Sequence, residues 1–138
     1  MVSFLIFENK KQWYLNRDIH RVKGPAIEFK INREKWWFKH GLMHRENNLP
    51  ALEKDEKKEY WEYGQEYILQ ENGTKEFYYN DYFDLSIKLH RNKFPAIEYA
   101  NGDEEWWFNG KRHRLDGPAV TYGDKKFWFI EGEFIKCF

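Results

Sequence analysis

Two adjacent aromatic positions recur along this chain. Each pair is followed by a polar turn, then a basic pair, then a run that alternates apolar and polar residues. The clearest copy is Trp106–Tyr122, WWFNGKRHRLDGPAVTY. Its aromatic run meets Asn109-Gly110, and Asn-Gly between two extended runs is the strongest short hairpin signal, because both central residues accept positive φ. Beyond His113-Arg114, the segment Asp116-Gly117-Pro118 breaks regular pairing, since proline has no N–H to give a ladder. Ala119-Val120-Thr121-Tyr122 then alternates at period two, as a half-buried strand does. A second turn, such as Asn101-Gly102-Asp103 or Gly123-Asp124, returns the chain to the next aromatic run. No long stretch carries a helical period.

The unit repeats in phase. The first aromatic column reads Trp13, Trp37, Tyr60, Phe83, Trp106 and Trp128, spaced 24, 23, 23, 23 and 22 residues apart. The second reads Tyr14, Phe38, Trp61, Asp84, Trp107 and Phe129. Seven residues after the first column stand His20, His44, Tyr67, His90, His113 and Ile135, and next to them Arg21, Arg45, Ile68, Arg91, Arg114 and Lys136. Prolines follow at Pro25, Pro50, Pro95 and Pro118, each trailed by alanine. The third repeat has lost its His-Arg pair and its proline, the fourth has Ile87 in place of the turn glycine, and the last is truncated. One hairpin per repeat predicts an all-β fold: a single domain over residues 1–138, built as an elongated, twisted antiparallel meander of roughly eleven to thirteen strands. Residues 1–12 supply a capping strand and 13–136 about six hairpin units. Such arrays need caps, because an open sheet edge templates further pairing.

Composition fits this reading and narrows the chemistry. Aromatics make up 20% of the 138 residues, which favours pleated surfaces. The 23 basic and 23 acidic side chains cancel, so nucleic-acid binding has no global counterion-release drive. The charge is unevenly placed: residues 1–50 hold ten basic and five acidic groups, and residues 51–83 hold four and nine. One cysteine, Cys137, excludes a disulfide within the chain. The start lacks a basic region and a cleavage site, and no apolar run is long enough to span a bilayer, so a cytoplasmic location is expected, with membrane contact at most peripheral.

The 23-residue period and the segments HRLDGPAV (113–120), HRVKGPAI (20–27) and HRNKFPAI (90–97) resemble the MORN repeat family. The W(F/Y)xxGxxHRxxGPA form looks like the MORN-like repeats of large DNA viruses of amoebae, with related repeats in some phage and bacterial proteins. The resemblance covers about residues 13–136. It implies an extended antiparallel sheet acting as an interaction module, here in a viral protein; the chain departs from the family in its decayed third unit and in having no fused catalytic domain.

Candidate chemistry is judged column by column. The histidines could form a metal or acid–base ladder, or pack beside aromatics and bond backbone groups. Equivalent residues two strands apart lie about 9–10 Å from each other, whereas zinc ligands sit about 2 Å from the metal, so two such histidines cannot share an ion. No cofactor or metal is expected. The arginines either stack on an aromatic ring of a neighbouring hairpin, worth about 0.5–2 kcal/mol, or form a stripe for an anion or a partner. Arg114 has Asp116 on its own side of the strand, but Lys23, Asn47 and Lys93 stand at that position elsewhere. The first aromatic column is expected in the core. Tyr14, Phe38, Trp61, Trp107 and Phe129 of the second are either packed or partly exposed, and with Arg21, Arg45, Arg91 and Arg114 they form the candidate binding surface. No nucleophile elbow, phosphate loop or Cys–His pair is present, and Glu104 and Glu105 fall on opposite faces. The expectation is a non-enzymatic protein–protein interaction module. The alternatives are a counter-defence or inhibitor module that holds a small anion or lipid headgroup on the arginines, and an antitoxin-like inhibitor. Phe134–Phe138 offers an edge strand for a homodimer.

Overall fold

A computed structural model describes residues 1–138, and its regular structure is entirely antiparallel β. The chain forms two compact units, Met1–Glu66 and Tyr67–Phe138. The first contains β1 (Val2–Ile6), β2 (Lys10–Leu15), β3 (Asp18–Ile19), β4 (Ile27–Phe29), β5 (Lys35–Trp36), β6 (Phe38–Lys39), β7 (Leu42–Met43), β8 (Leu52–Lys54) and β9 (Lys57–Glu62). Its sheet runs β1-β2-β4-β5-β8-β9, with β3 on β2 and with β6 and β7 paired apart. The boundary lies in β10 (Gln65–Leu69). The second unit holds β11 (Lys75–Asp81), β12 (Ser86–Leu89), β13 (Ile97–Glu98), β14 (Glu104–Glu105), β15 (Trp107–Phe108), β16 (Lys111–Arg112), β17 (Val120–Tyr122), β18 (Lys125–Ile130) and β19 (Glu133–Cys137). Here the order is β10-β11-β13-β14-β17-β18-β19, with β12 on β11 and a separate β15–β16 pair.

There are nineteen strands, more than the hairpin count predicts, because short strands after the turns (β3, β7, β12 and β16) stand off the main path and two aromatic runs divide. In the second repeat Lys35–Trp36 pairs into the main sheet, while Phe38–Lys39 pairs only with Leu42–Met43. The break falls at Trp37, whose N–H bonds the Ala51 carbonyl at 2.8 Å and whose carbonyl accepts the His44 N–H. Trp106 divides the fifth repeat in the same way, with Ala119 and His113 as partners. The hairpin turns obey the sequence signal. His40-Gly41 and Asn109-Gly110 both have positive φ at each residue (47° and 79°, 49° and 75°), the turn that matches strand twist.

The core lies elsewhere than in the first aromatic column. Ala26, Ala51, Ala96 and Ala119 are completely buried, and Ile27, Leu52, Ile97 and Val120 are buried beside them. Each of these alanines is bonded on both sides. Ala96, for example, accepts from the Phe77 N–H (2.7 Å) and donates to the Glu105 carbonyl (2.8 Å). Two neighbouring backbones close on the residue from both sides, which leaves room for a methyl group and little more. Trp13, Trp37, Tyr60, Trp106 and Trp128 are only half-buried.

Phe83 departs furthest from expectation: it is fully exposed in the β11–β12 turn. Phe77 stands in its place, wholly buried and bonded to Ala96 and His90 as Trp106 is to Ala119 and His113. The reason is a pair of compensating length changes. Phe77 lies thirteen residues before His90, where the other His-bearing repeats have seven, and Tyr67 lies only ten before Phe77, where His44 lies sixteen before Tyr60. The sequence period survives while the structural register shifts by six.

Enlarging the alanine column should therefore overpack it. Ala96→Leu is expected to lose about 1–3 kcal/mol in urea unfolding, whereas a leucine at the exposed Ala100 should leave the midpoint unchanged.

Candidate functional site

The arginine column is engaged inside the fold. The guanidinium carbons of Arg21, Arg45, Arg91 and Arg114 sit 3.8, 3.8, 3.7 and 3.9 Å from the ring centres of Trp13, Trp37, Phe77 and Trp106. Each ring belongs to the same repeat as its arginine, not to a neighbouring hairpin as expected. In each case Nη1 also donates to the repeat's proline carbonyl, Pro25, Pro50, Pro95 or Pro118, at 3.0–3.3 Å. A carboxylate completes the arrangement: Glu28 at 3.3 Å, Glu53 at 3.0 Å and Glu98 at 2.8 Å. In the fifth repeat Thr121 replaces that glutamate, and Asp116 takes the role at 3.0 Å from Arg114 Nε. This explains why only that repeat carries an acid two residues after its arginine. Lys136 holds its ammonium 5.0 Å from the Trp128 ring, a looser version in the last repeat.

In the first and fifth repeats the residue before the proline is a glycine lying against the guanidinium. A Cβ on Gly117 would lie 2.9 Å from Arg114 Cζ, and one on Gly24 3.2 Å from Arg21 Cζ. The fourth repeat has Phe94 there, and Arg91 lies between two rings, 3.7 Å from Phe77 and 4.9 Å from Phe94. Arg91 is the one arginine of the column that is fully buried.

The histidines latch one repeat to the next. Nδ1 of His20, His44, His90 and His113 accepts the backbone N–H of His40, Tyr63, Asn109 and Glu131 at 2.9–3.0 Å. Each donor is the residue before a turn glycine and has φ of 46–49°. The imidazoles also pack on rings: His20 on His40, His44 on Tyr63 and His90 on Phe108, at 4.3–4.6 Å. Burial pushes His20, His44 and His90 below the ordinary histidine range, and the neighbouring His40 and Lys39 side chains add to this at His20. An unprotonated Nδ1 is what the latch requires.

The second aromatic column is half-buried throughout at Tyr14, Phe38, Trp61, Trp107 and Phe129. Its polar atoms have partners. Trp107 Nε1 donates to Glu105 at 2.8 Å, Trp61 Nε1 to Glu59 at 3.2 Å, and the Tyr14 hydroxyl accepts from Gln12. Glu105 also gathers Tyr99, Tyr122 and Arg112. Burial alone would raise its pKa, but these hydrogen bonds hold the carboxyl below the usual range. Glu104 points the other way, to Trp106. No three His, Cys, Asp or Glu side chains are gathered as metal ligands, and no helix is long and apolar enough to cross a membrane.

Two repeat-equivalent grooves lie between successive His-Arg loops. In the first unit a cavity of about 420 Å³ is floored by Trp37 and Phe38 and walled by the His20-Arg21 and His44-Arg45 loops. In the second a cavity of about 500 Å³ is floored by Trp106 and Trp107 and walled by the Arg91 and His113-Arg114 loops. The structure thus gathers many of the predicted residues around repeat-equivalent grooves, but their charged heads are already paired. What each loop leaves exposed is one apolar side chain: Val22 (83% exposed), Leu49, Phe94 and Leu115 (80%). These four escaped the column analysis because loop residues of differing identity form no column. Their signal was an apolar residue inside otherwise polar loop segments. Comparison with protein-family models, with curated proteins and with solved structures finds no match.

Two tests follow. Depressed histidine pKa values mean that the unfolded chain takes up protons first, so the latch stabilises fully above about pH 6.5 and weakens as pH falls below it. The melting temperature should drop between pH 7.5 and 5.5, and His44→Asn should flatten that dependence. Arg91→Ala should cost about 2–4 kcal/mol in urea unfolding, and Arg91→Lys should recover only part, because an ammonium cannot lie flat between Phe77 and Phe94.

Proposed function

We propose that this chain is a non-catalytic, MORN-like repeat protein that binds another protein through its His-Arg loop face. The observation that carries this reading is the division of labour within each loop. The arginine, histidine and proline groups bond inward, while Val22, Leu49 and Leu115 are exposed along aromatic-floored grooves and Phe94 is exposed over Arg91. A surface whose charges are internally neutralised and whose exposed groups are apolar gains by burying apolar partner surface. An anion or lipid headgroup would instead have to displace Glu28, Glu53, Glu98 or Asp116 from its arginine, which disfavours the ligand-binding alternative. The viral setting implied by the repeat motif remains part of the proposal.

The test uses exposed positions, so folding is not at stake. A purified partner identified with the wild-type protein should bind Val22→Asp or Leu115→Asp at least roughly tenfold more weakly in calorimetry, as loss of an interface anchor does. Glu133→Ala, away from the loops, should bind as wild type. Equal affinity for all variants removes the loop face as the binding surface.

A further inference from the structure

The six residues added to the fourth repeat form the tip of the β11–β12 hairpin. They lengthen its ladder by about 10 Å at roughly 3.4 Å per residue. The tip is strongly apolar and exposed: Tyr82 85%, Phe83 102%, Leu85 87% and Ile87 66%. It is also pre-ordered. The Phe83 N–H donates to Asp81 at 2.9 Å and the Ser86 N–H to Asp84 at 3.1 Å. Lys88 Nζ closes the loop on both carboxylates, 2.7 Å from each. Leu85 holds φ of 57° in full solvent exposure, where glycine or asparagine would relieve strain. An apolar tip kept rigid at such a cost is suited to insertion, because little freedom is left to lose on binding.

A receptor of matching chemistry exists on the same chain. A cavity of about 220 Å³ is lined by Val2, Trp13, Tyr14, Leu15, His20, Arg21 and Val22. Its lining is almost wholly apolar, with the cation of Arg21 at its border, and its volume is that of a single large aromatic residue. It adjoins the first His-Arg loop through Val22.

We propose that the Tyr82–Ile87 tip of one copy docks into the Trp13–Leu15–Val22 cavity of a second copy, giving head-to-tail self-association. The inference rests on the reading of the His-Arg loop face as a protein-docking surface and names one occupant for its first loop. Phe83 enters the cavity, and Tyr82 and Leu85 cover its rim. Tip and cavity are different surfaces, so the contact is heterologous and each molecule keeps one unused half.

Sedimentation velocity across a dilution series tests this with the full chain. The mean mass of the wild type should rise with concentration. Phe83→Ser and Val22→Asp alter fully or largely exposed positions, leave melting unchanged, and should each weaken association at least roughly tenfold. Mixed together, they should form a dimer and stop there, since one supplies the intact cavity and the other the intact tip. Glu133→Ala, outside both tip and cavity, should self-associate as wild type. A wild type that stays monomeric throughout, a Phe83→Ser variant that associates normally, or a mixture that fails to complement overturns the proposal. The binding reading of the loop face is judged separately, by the affinity of a foreign partner for Leu115→Asp.

Discussion

The interaction on which the rest of this structure depends is the flat stacking of an arginine on the first aromatic ring of its own repeat. A tryptophan or phenylalanine in a thin sheet cannot be covered by a second layer of chain. The guanidinium covers it instead, 3.7–3.9 Å above the ring, while its edge bonds a proline carbonyl that has lost its place in the ladder. One side chain thereby shields an aromatic face, satisfies an irregular loop and places a carboxylate. The acid on the following strand in three repeats and the glycine before the proline in two lie against the same guanidinium.

The neighbouring histidine works between repeats rather than within one. By accepting an N–H from the next turn, it fixes that turn's strained residue and so the register of the next hairpin. Arginine and histidine thus divide the task, one closing the repeat on itself and the other joining it to its successor. A motif that could pass for an active site becomes a device for stacking hairpins, and its internal saturation is the reason the functional reading moves to the apolar residues the loops leave outside.

Much of the architecture was legible in the residues. The Asn-Gly and His-Gly turns, the proline breaks and the period-two runs all reflect local sterics that any chain of this composition must obey. The packing role of the histidines followed from strand spacing alone. The candidate surface was only partly legible. The columns drew attention to its arginines and second-column aromatics, but Val22, Leu49, Phe94 and Leu115 carry no shared identity by which a column could reveal them.

The sequence by itself determined an all-β antiparallel meander and the place of the glycine-marked turns, because those depend on backbone preferences at adjacent residues. Only the tertiary structure decided which residues form the core and which ring each arginine covers. It placed Ala96 and its equivalents, not the tryptophans, at the most crowded points, because crowding there comes from two distant backbones converging on one methyl group. It also exchanged Phe83 for Phe77. A deletion of six residues in one repeat and an insertion of six in the next leave the spacing along the chain unchanged, and only pairing across the sheet shows that the aromatic in phase is the one in solvent.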